Sequence, residues 1–316
     1  MSYAFSTGGT PLPDGALERI REEYLQAKKE RPSPIWKDIL ALNGNFYEML
    51  AAGKDVLPLL DNPGYTNLFY GMDNFHQQTT VDLKASKKNR EGLHAQHINT
   101  LFKLAEAVGA KRLPHPEVPP PPEPLLLEEL LDKISEKVGY EIDFPNPFPD
   151  EFGIATPRGI AAHRSMYAIY QAWRVKQLAK GPVVEIGAGL GRTAYYAMRM
   201  GVTNYTIVDL PESNVLQRNF LLRVGSPAKI LSVEGYRENG EAPFDLLLNA
   251  DGLTEMTEEM AEYYVKRFLR SGRIFLSINH EGNPFTVAGL VPLEGHCLWR
   301  YPYALRAGYV EEVFVA

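Results

Sequence analysis

From Gly181 to Ala316, short continuous apolar runs alternate with stretches of helical periodicity. Five of the runs read VVEI, YTIVD, KILSV, FDLLLN and RIFLSI, and each is followed by glycine or polar residues. Continuous apolar runs are typical of strands buried on both faces, as in a parallel sheet covered by helices. The last run, GYVEEVFVA, follows no helix long enough for a crossover, so it predicts an antiparallel strand. The pattern therefore predicts an α/β fold whose sheet is mostly parallel and has an antiparallel last strand.

The part of the chain before Gly181 has helical periodicity instead. One amphipathic helix is predicted to end near Gly109, and its apolar residues have i, i+3, i+4, i+7 spacing. Those residues are Ile98, Leu101, Phe102, Ala105 and Val108. A second stripe consists of Leu127, Leu130, Leu131, Ile134 and Val138. Weaker patterns cover residues 17–28 and 46–50, and Pro157 is predicted to open a long helix with Met166, Ile169, Tyr170 and Trp173 on its buried face.

The prolines divide the chain. Seven of the 24 fall between Pro114 and Pro124, and such a segment forms an extended, semi-rigid connector. A recognition motif for a partner is the less favoured alternative, because the segment lies between structured regions. The stretch DFPNPFPDEFG, residues 143–153, predicts an irregular loop. We therefore predict a mainly helical N-terminal domain over 1–113 that binds substrate or forms a lid, a connector over 114–124, a helical region over 125–180 that packs on the core, and a core domain over 181–316.

Composition narrows the function classes. The chain has 316 residues with 45% apolar and 23% charged residues, which is typical of globular proteins. Its formal net charge of −6 disfavours nucleic-acid binding. The single cysteine, Cys297, excludes an internal disulfide, no apolar run approaches a bilayer span, and the start MSYAFSTGGTPLPDG is unlike a signal peptide. We expect a cytoplasmic protein that binds a small molecule and neither nucleic acid nor membrane, with a homo-oligomer left open.

The most informative segment runs from Pro182 to Gly201. Here a buried strand leads into Gly187, Gly189 and Gly191, and a helix follows. Glycines at such a turn permit positive φ and let a ligand approach the backbone. A dinucleotide-binding loop would need glycine or alanine at position 192, where this chain has Arg192. The pattern is instead E-x-G-x-G-x-G, in which the acidic residue is Glu185.

This pattern resembles motif I of the class I S-adenosylmethionine-dependent methyltransferases, and the resemblance extends from Gly181 to Ala316. It implies a Rossmann-like core, S-adenosylmethionine as cofactor, and contacts from Gly187, Gly189 and Gly191 to the methionine and ribose portions. It also implies that Glu185 supports the cofactor amino group through water, and that an adenine contact lies within residues 232–236.

Asp209 ends the next apolar run, near the spacing at which a carboxylate accepts hydrogen bonds from ribose hydroxyls. The alternative is that Asp209 only caps the following helix. Leu210 and Asn249, at the ends of the second and fourth runs, are assigned to the same cofactor site.

The segment NADGLTEMTEEMAEYYVKRFL and the strand ending at Asn279 are similar to bacterial sugar O-methyltransferases, as is LLDNPGYTNLFYGMD upstream. This resemblance implies a hydroxylated acceptor such as a sugar. The aromatic stretch from Tyr65 to His76, which overlaps that segment, offers Tyr65, Tyr70 and His76 as substrate residues of a lid. The alternative, favoured for the individual aromatic side chains, is a packing core. His163 and Arg164 are further candidates for substrate contact, with a solvated helix face as the alternative.

A hydroxyl acceptor must lose its proton, and the candidate bases lie after the fourth and fifth runs. We assign this role to His280, with Asp251 as its competitor; both could instead be turn residues. A divalent metal held by Asp251, His280 and Glu281 is a minority hypothesis because these ligands lack a recognised spacing, so no metal is assigned. Other function classes are N- or C-methyl transfer on the same fold, a nicotinamide-dependent oxidoreductase, and a non-catalytic binding module.

Overall fold

The computed structural model describes residues 1–27, 48–49, 52–60, 80–114, 117, 126–238, 243–282, 284–292 and 297–316. Its first feature is a small antiparallel sheet of three strands, β1 (Tyr3–Thr7), β2 (Pro149–Thr156) and β3 (Gly159–Ala161). In this sheet Phe5 is opposite Phe152, and Ile154 is opposite Ala161. The sequence predicted an irregular loop over residues 143–153, and this prediction is wrong from Pro149 onward because β2 begins there. The helix expected at Pro157 begins at His163 instead.

Helices make up most of the other described residues before position 180. They are α1 (Ala16–Ala27), α2 (Val56–Leu59), α3 (Thr80–Ala85), α4 (Lys87–Ala107), α5 (Leu127–Val138) and α6 (His163–Leu178). Both apolar stripes are confirmed, because Leu101, Leu104 and Ala105 of α4 are buried, as are Leu130 and Ile134 of α5. The connector over 114–124 lies almost entirely outside the described residues.

The core sheet contains all the expected strands and one more. Its members are β4 (Val183–Ile186), β5 (Tyr205–Asp209), β6 (Lys229–Ser232), β7 (Leu246–Ala250), β8 (Ile274–His280), β9 (Cys297–Pro302) and β10 (Tyr309–Val315). The strand order is β6-β5-β4-β7-β8-β10-β9, with β4 to β8 parallel. Strand β10 is antiparallel to both β8 and β9. The predicted α/β class, with its antiparallel last strand, is confirmed.

The remaining helices are α7 (Arg192–Arg199), α8 (Pro211–Arg223), α9 (Val233–Glu238), α10 (Glu258–Ser271) and α11 (Val287–Leu290). Helix α10 begins as its sequence predicts, because the Thr257 side chain accepts a hydrogen bond from the Met260 amide. Among the described residues, no helix is both long enough and apolar enough to cross a membrane.

The central strands are buried on both faces. Val183, Leu246 and Leu248 pack into one cluster with α4, α6, α7 and α8, whereas Val184 and Leu247 pack into a second cluster with α10. This arrangement explains why the runs are continuously apolar. Because β4 to β8 are parallel, the loops that follow them meet at one edge of the sheet, where ligands of open α/β sheets bind.

Candidate active site

The glycine loop after β4 has the backbone that its sequence predicts. Gly187, Gly189 and Gly191 have φ values of 70°, 56° and 86°, a region that side chains other than glycine rarely adopt. A Cβ on Gly191 would lie 3.2 Å from Leu221 Cδ1 and 3.3 Å from Ile207 Cδ1. The small size of Gly191 therefore permits close packing of the loop against α8 and β5.

The glycine loop touches the loop that follows β7. A Cβ on Gly187 would lie 3.7 Å from the Cα of Gly252 and 3.8 Å from Nδ2 of Asn249. The loop around Gly252 therefore lies directly beside the glycine loop, which is expected to contact the cofactor.

Asn249 is fully buried where these two loops meet. Its Nδ2 donates to the Ile186 carbonyl at 2.8 Å, and its Oδ1 accepts from the Leu253 amide and from Asn279 Nδ2, each at 3.0 Å. These bonds fasten the end of β7 to the ends of β4 and β8. The cofactor contact assigned to Asn249 stays a prediction, and the observed contacts give the side chain a structural role.

Glu185 lies inside the sheet rather than at its surface. The carboxylate is 2% exposed and accepts a hydrogen bond from the Tyr205 hydroxyl at 2.9 Å. Burial raises the pKa of Glu185 to about 8, against the opposing effect of hydrogen bonds from Tyr205 and Thr193. Its water-mediated contact to the cofactor amino group stays a prediction.

Asp209 is held at the end of β5 by several donors. Its Oδ1 accepts from the Leu210 amide at 2.8 Å, and its Oδ2 accepts from the Ala188 amide at 3.1 Å and from Gln217 Nε2 at 2.6 Å. Burial raises the pKa of Asp209 to about 6. The capping alternative is not supported, because Leu210 is the N-cap residue of α8. Asp209 instead joins the glycine loop to β5 and α8, where a ribose acceptor is expected.

Three residues that could act on an acceptor lie together after β7 and β8. Ligand atoms of Asp251, Glu255 and His280 all lie within 4.8 Å of one another, and we call this group the acceptor-side cluster. All three follow the fourth or fifth apolar run and were expected at this edge of the sheet, but only Asp251 and His280 were assigned as candidate bases. Glu255 lies in a 3₁₀ turn and was given no catalytic role from the sequence.

The Asp251 carboxylate is already engaged by protein groups. Arg306 Nη1 donates to Oδ2 at 2.8 Å, Arg164 Nη1 lies 3.5 Å from the same oxygen, and the Tyr309 hydroxyl donates to Oδ1 at 2.6 Å. Asp251 also has a φ of 69°, an uncommon value for a residue other than glycine and often a sign of function. We interpret Asp251 as a residue that positions the two arginines rather than as a base.

His280 has one ring nitrogen engaged. Its Nδ1 accepts a hydrogen bond from the Gly282 amide at 3.2 Å, and its ring packs edge-on against Tyr309 with centroids 5.5 Å apart. In the neutral imidazole the proton is then on Nε2, so that nitrogen presents a donor. The assignment of His280 as the base stays a prediction, and this geometry favours a donor role.

Glu255 differs from its neighbours because its carboxylate has no hydrogen bond or ion pair within the described part of the chain. Burial, and then the charge of Asp251, raise the pKa of Glu255 to about 7. A general base functions best when its pKa lies near the working pH. Glu255 is therefore the best-suited proton acceptor of the cluster.

Carboxylate and imidazole groups could together hold a divalent ion. Both oxygens of Asp251, however, already accept from Arg306 or Tyr309, so a metal would have to displace these donors. Glu281, the third ligand of the metal hypothesis, pairs instead with Arg300 at 2.6 Å.

The other predicted substrate residues lie in different places. Arg164 reaches the acceptor-side cluster, whereas His163 is 5% exposed and stacks on His97 with centroids 3.7 Å apart. The solvated-face alternative is therefore wrong for both residues, and direct substrate contact by either stays a prediction. Tyr65, Tyr70 and His76 lie outside the described residues.

No protein-family model matches the sequence, and no curated protein matches it. Several solved structures resemble it. For the magnesium protoporphyrin IX methyltransferase of Synechocystis PCC 6803 with bound S-adenosylmethionine, the identity is 11%, the TM-score is 0.39, and the match covers 49% of this chain and 80% of that one. The mitomycin 7-O-methyltransferase MmcR is 17% identical with a TM-score of 0.36, and the match covers 49% of this chain and 56% of that one. The ribosomal protein L11 methylase of Lactobacillus delbrueckii subsp. bulgaricus is 11% identical with a TM-score of 0.38, and the match covers 48% of this chain and 77% of that one.

All three structures are methyltransferases, and the likeness is distant. The fold assignment stands on this chain's own features, namely its strand order, its glycine loop and the carboxylate that ends β5. The core is a Rossmann-like sheet of the class I methyltransferase type.

Proposed function

We propose that the protein is an S-adenosylmethionine-dependent O-methyltransferase that acts on a hydroxyl of a small hydroxylated acceptor such as a sugar. The cofactor part of the proposal is supported by the sheet topology, by the positive φ angles of Gly187, Gly189 and Gly191, and by Asp209 beside that loop. Arg192, at the position where a dinucleotide-binding loop needs a small residue, disfavours the nicotinamide alternative.

The observation that carries the O-transfer proposal is the Glu255 carboxylate. It has no partner within the described residues, and its pKa is raised to about 7 in a cluster whose loop touches the glycine loop through Gly252. A hydroxyl becomes a good nucleophile only as its proton leaves, whereas a neutral amine can attack with its own lone pair. A proton acceptor beside the cofactor loop therefore favours oxygen as the methyl acceptor.

The bound cofactor would supply an electrophilic methyl group on a sulfonium. Glu255 would take the hydroxyl proton of the acceptor, and the loop after β7 would hold that carboxylate beside the glycine loop. His280 would donate from Nε2 to a neighbouring acceptor oxygen, because its Nδ1 is bonded to Gly282. Asp251 would keep Arg164 and Arg306 in place around the acceptor.

A sugar suits the chemistry of this cluster. Carboxylate, imidazole, guanidinium and phenol groups within a small region can donate to and accept from several hydroxyls at once. Tyr65 and Tyr70 lie outside the described residues, and their predicted contact with the substrate stays a prediction.

The test has two stages. Calorimetry should show binding of S-adenosylmethionine and of its product S-adenosylhomocysteine, with no binding of NAD. Mass spectrometry of a panel of free and nucleotide-linked sugars, paired with amine analogues of the same sugars, should then show methylation of a hydroxyl. NAD binding without S-adenosylmethionine binding would refute the cofactor, and methylation confined to the amine analogues would refute oxygen as the acceptor.

A further inference from the structure

Asp209 has little capacity left for a ligand. An ionised carboxylate offers about four lone-pair sites, two on each oxygen. Oδ2 already accepts from Ala188 and Gln217, and Oδ1 accepts from Leu210. These three bonds leave about one acceptor site for a ligand. A vicinal diol offers two donors, and Asp209 cannot receive both without giving up bonds that it already makes.

Gln217 supplies a second acceptor next to this carboxylate. Its Nε2 lies 2.6 Å from Asp209 Oδ2, and its Oε1 is bonded to the same amide carbon as Nε2. The side chain is fully buried, yet Oε1 accepts no hydrogen bond from any residue that the structure describes. An unsatisfied buried acceptor destabilises a fold, so an oxygen of this kind is expected to have a ligand or another partner when the protein functions.

We propose that Gln217 is a second recognition residue for the ribose of the cofactor and shares its vicinal diol with Asp209. This inference rests on the proposed function, because it takes S-adenosylmethionine as the ligand. One hydroxyl donates to the remaining acceptor site of Asp209, and the other donates to Gln217 Oε1. The bond from Gln217 Nε2 to Asp209 keeps the two acceptors at a fixed separation, which suits hydroxyls on adjacent ring carbons.

The same helix provides a matched control. Asn219 is also fully buried in α8, and within the described ranges its Oδ1 likewise accepts no hydrogen bond. Its Nδ2, however, donates to the Val215 carbonyl of the helix at 3.1 Å and not to Asp209. Replacement of the Asn219 amide should therefore show how far a buried change in α8 alone alters ligand affinity, because this amide makes no contact with Asp209.

The experiment measures affinities for S-adenosylhomocysteine and for its 2′-deoxy and 3′-deoxy analogues by calorimetry. Wild-type protein should bind at least one deoxy analogue roughly 10- to 100-fold more weakly than the parent compound, as expected for a buried acceptor left unpaired. In Gln217→Met that penalty should fall to less than about 3-fold for one of the two analogues, because the variant has no acceptor to leave unpaired. Asn219→Leu should keep the wild-type penalties.

Equal weakening of all three ligands by Gln217→Met would overturn the proposal and assign Gln217 a structural role. Circular dichroism checks folding, and if Gln217→Met does not fold, Gln217→Asn provides the same comparison, since its shorter amide should also reduce one deoxy penalty. Unchanged penalties in the folded variant would again reject the proposal. Failure of wild-type protein to bind S-adenosylhomocysteine at all is a different result, because it rejects the proposed function itself.

Discussion

The hydroxyl of Tyr205 on β5 lies 2.9 Å from the carboxylate of Glu185 on β4, inside the sheet. Burial of this carboxylate raises its pKa well above the ordinary value. The pKa of about 8 then means that the folded protein holds a proton there at neutral pH.

Glu185→Gln should make the free energy of unfolding depend less on pH. The pKa of Glu185 is raised from 4.5 to about 8, so between these pH values the folded state retains a proton that the unfolded state has released. Its contribution to the free energy of unfolding is therefore fully present below pH 4.5 and is lost as the pH rises through 8. Glutamine can still accept from Tyr205, and at pH 8 it should stabilise the fold by up to about 4 kcal/mol.

Urea unfolding at several pH values between 4.5 and 8.5 checks this prediction. Glu259→Gln, an exposed change in the first turn of α10, serves as the control and should follow the wild-type curve. A Glu185→Gln variant that loses stability with pH as steeply as the wild type would show that Glu185 is ionised in the fold.

The glycines of the loop should respond differently to alanine. At Gly191 a Cβ would lie 3.2 Å from Leu221 and 3.3 Å from Ile207, in addition to the strain of a φ of 86°. At Gly187 the nearest described neighbours of a Cβ would be 3.7 Å or more away, so the φ of 70° is the main obstacle to the change. Overpacking costs about 1–3 kcal/mol, and Gly191→Ala should therefore lower the free energy of unfolding by more than Gly187→Ala.

Thermal unfolding of the two variants makes this comparison directly. Gly201→Ala is a suitable reference because its φ is 99° and no atom of the described residues lies within 4 Å of the added Cβ, so it reports the backbone strain. Equal losses at all three positions would mean that packing of Gly191 against Leu221 contributes nothing.

Glu255→Gln should lower turnover by about 10²- to 10⁴-fold on an acceptor found in the panel, because a neutral amide cannot take the hydroxyl proton. Its affinity for S-adenosylmethionine should change little. The wild-type rate should rise with pH through about 7, because Glu255 must be ionised to act as a base. That rise should be absent from the residual rate of Glu255→Gln.

His280→Gln separates the two candidate bases. If His280 only donates a hydrogen bond, the variant should lose less than about 10-fold in turnover and keep the pH profile of the wild type. A loss as large as that of Glu255→Gln, together with a flat pH profile, would return the role of base to His280.

Asp251→Ala should reduce turnover while leaving cofactor affinity nearly unchanged. The change leaves Arg164 and Arg306 without their shared carboxylate and places alanine at a φ of 69°. Asp251→Asn is the matched variant, since asparagine tolerates this backbone region and still accepts hydrogen bonds. Asparagine should recover part of the lost activity.

A chelator distinguishes positioning from metal binding at the same cluster. Since both oxygens of Asp251 accept from protein donors, wild-type activity should survive treatment with EDTA. Activity that disappears with EDTA and returns with Mg²⁺ would mean that Asp251, Glu255 and His280 hold a metal.

Sequence patterns predicted the elements whose signals are local. The apolar run before Gly187, the cap at Thr257 and the i, i+4 stripe of α4 each depend on residues close together in the chain, and each is confirmed. The small sheet was missed because β1 pairs with β2 across more than a hundred residues, for example at Phe5 and Phe152. No local pattern records such a pairing.

In the candidate site, too, residues with a local signal could be predicted and residues brought in by distant pairing could not. Asp251 and His280 could be placed because each follows a recognisable strand. Arg306 and Tyr309 could not, since they reach Asp251 only after the last two strands pair and add to β8. The role suggested for Glu255 depends on burial and on a neighbouring charge, and neither can be read from one sequence.

The position of β10 between β8 and β9 also has a consequence for the candidate site. Strands β4 and β5 lead into the glycine loop and Asp209 near the centre of the sheet, whereas Arg306 and Tyr309 belong to the β9–β10 hairpin at its edge. The surroundings of Asp251 are therefore complete only where that hairpin is paired with β8. The two halves of the site depend on different ends of one sheet.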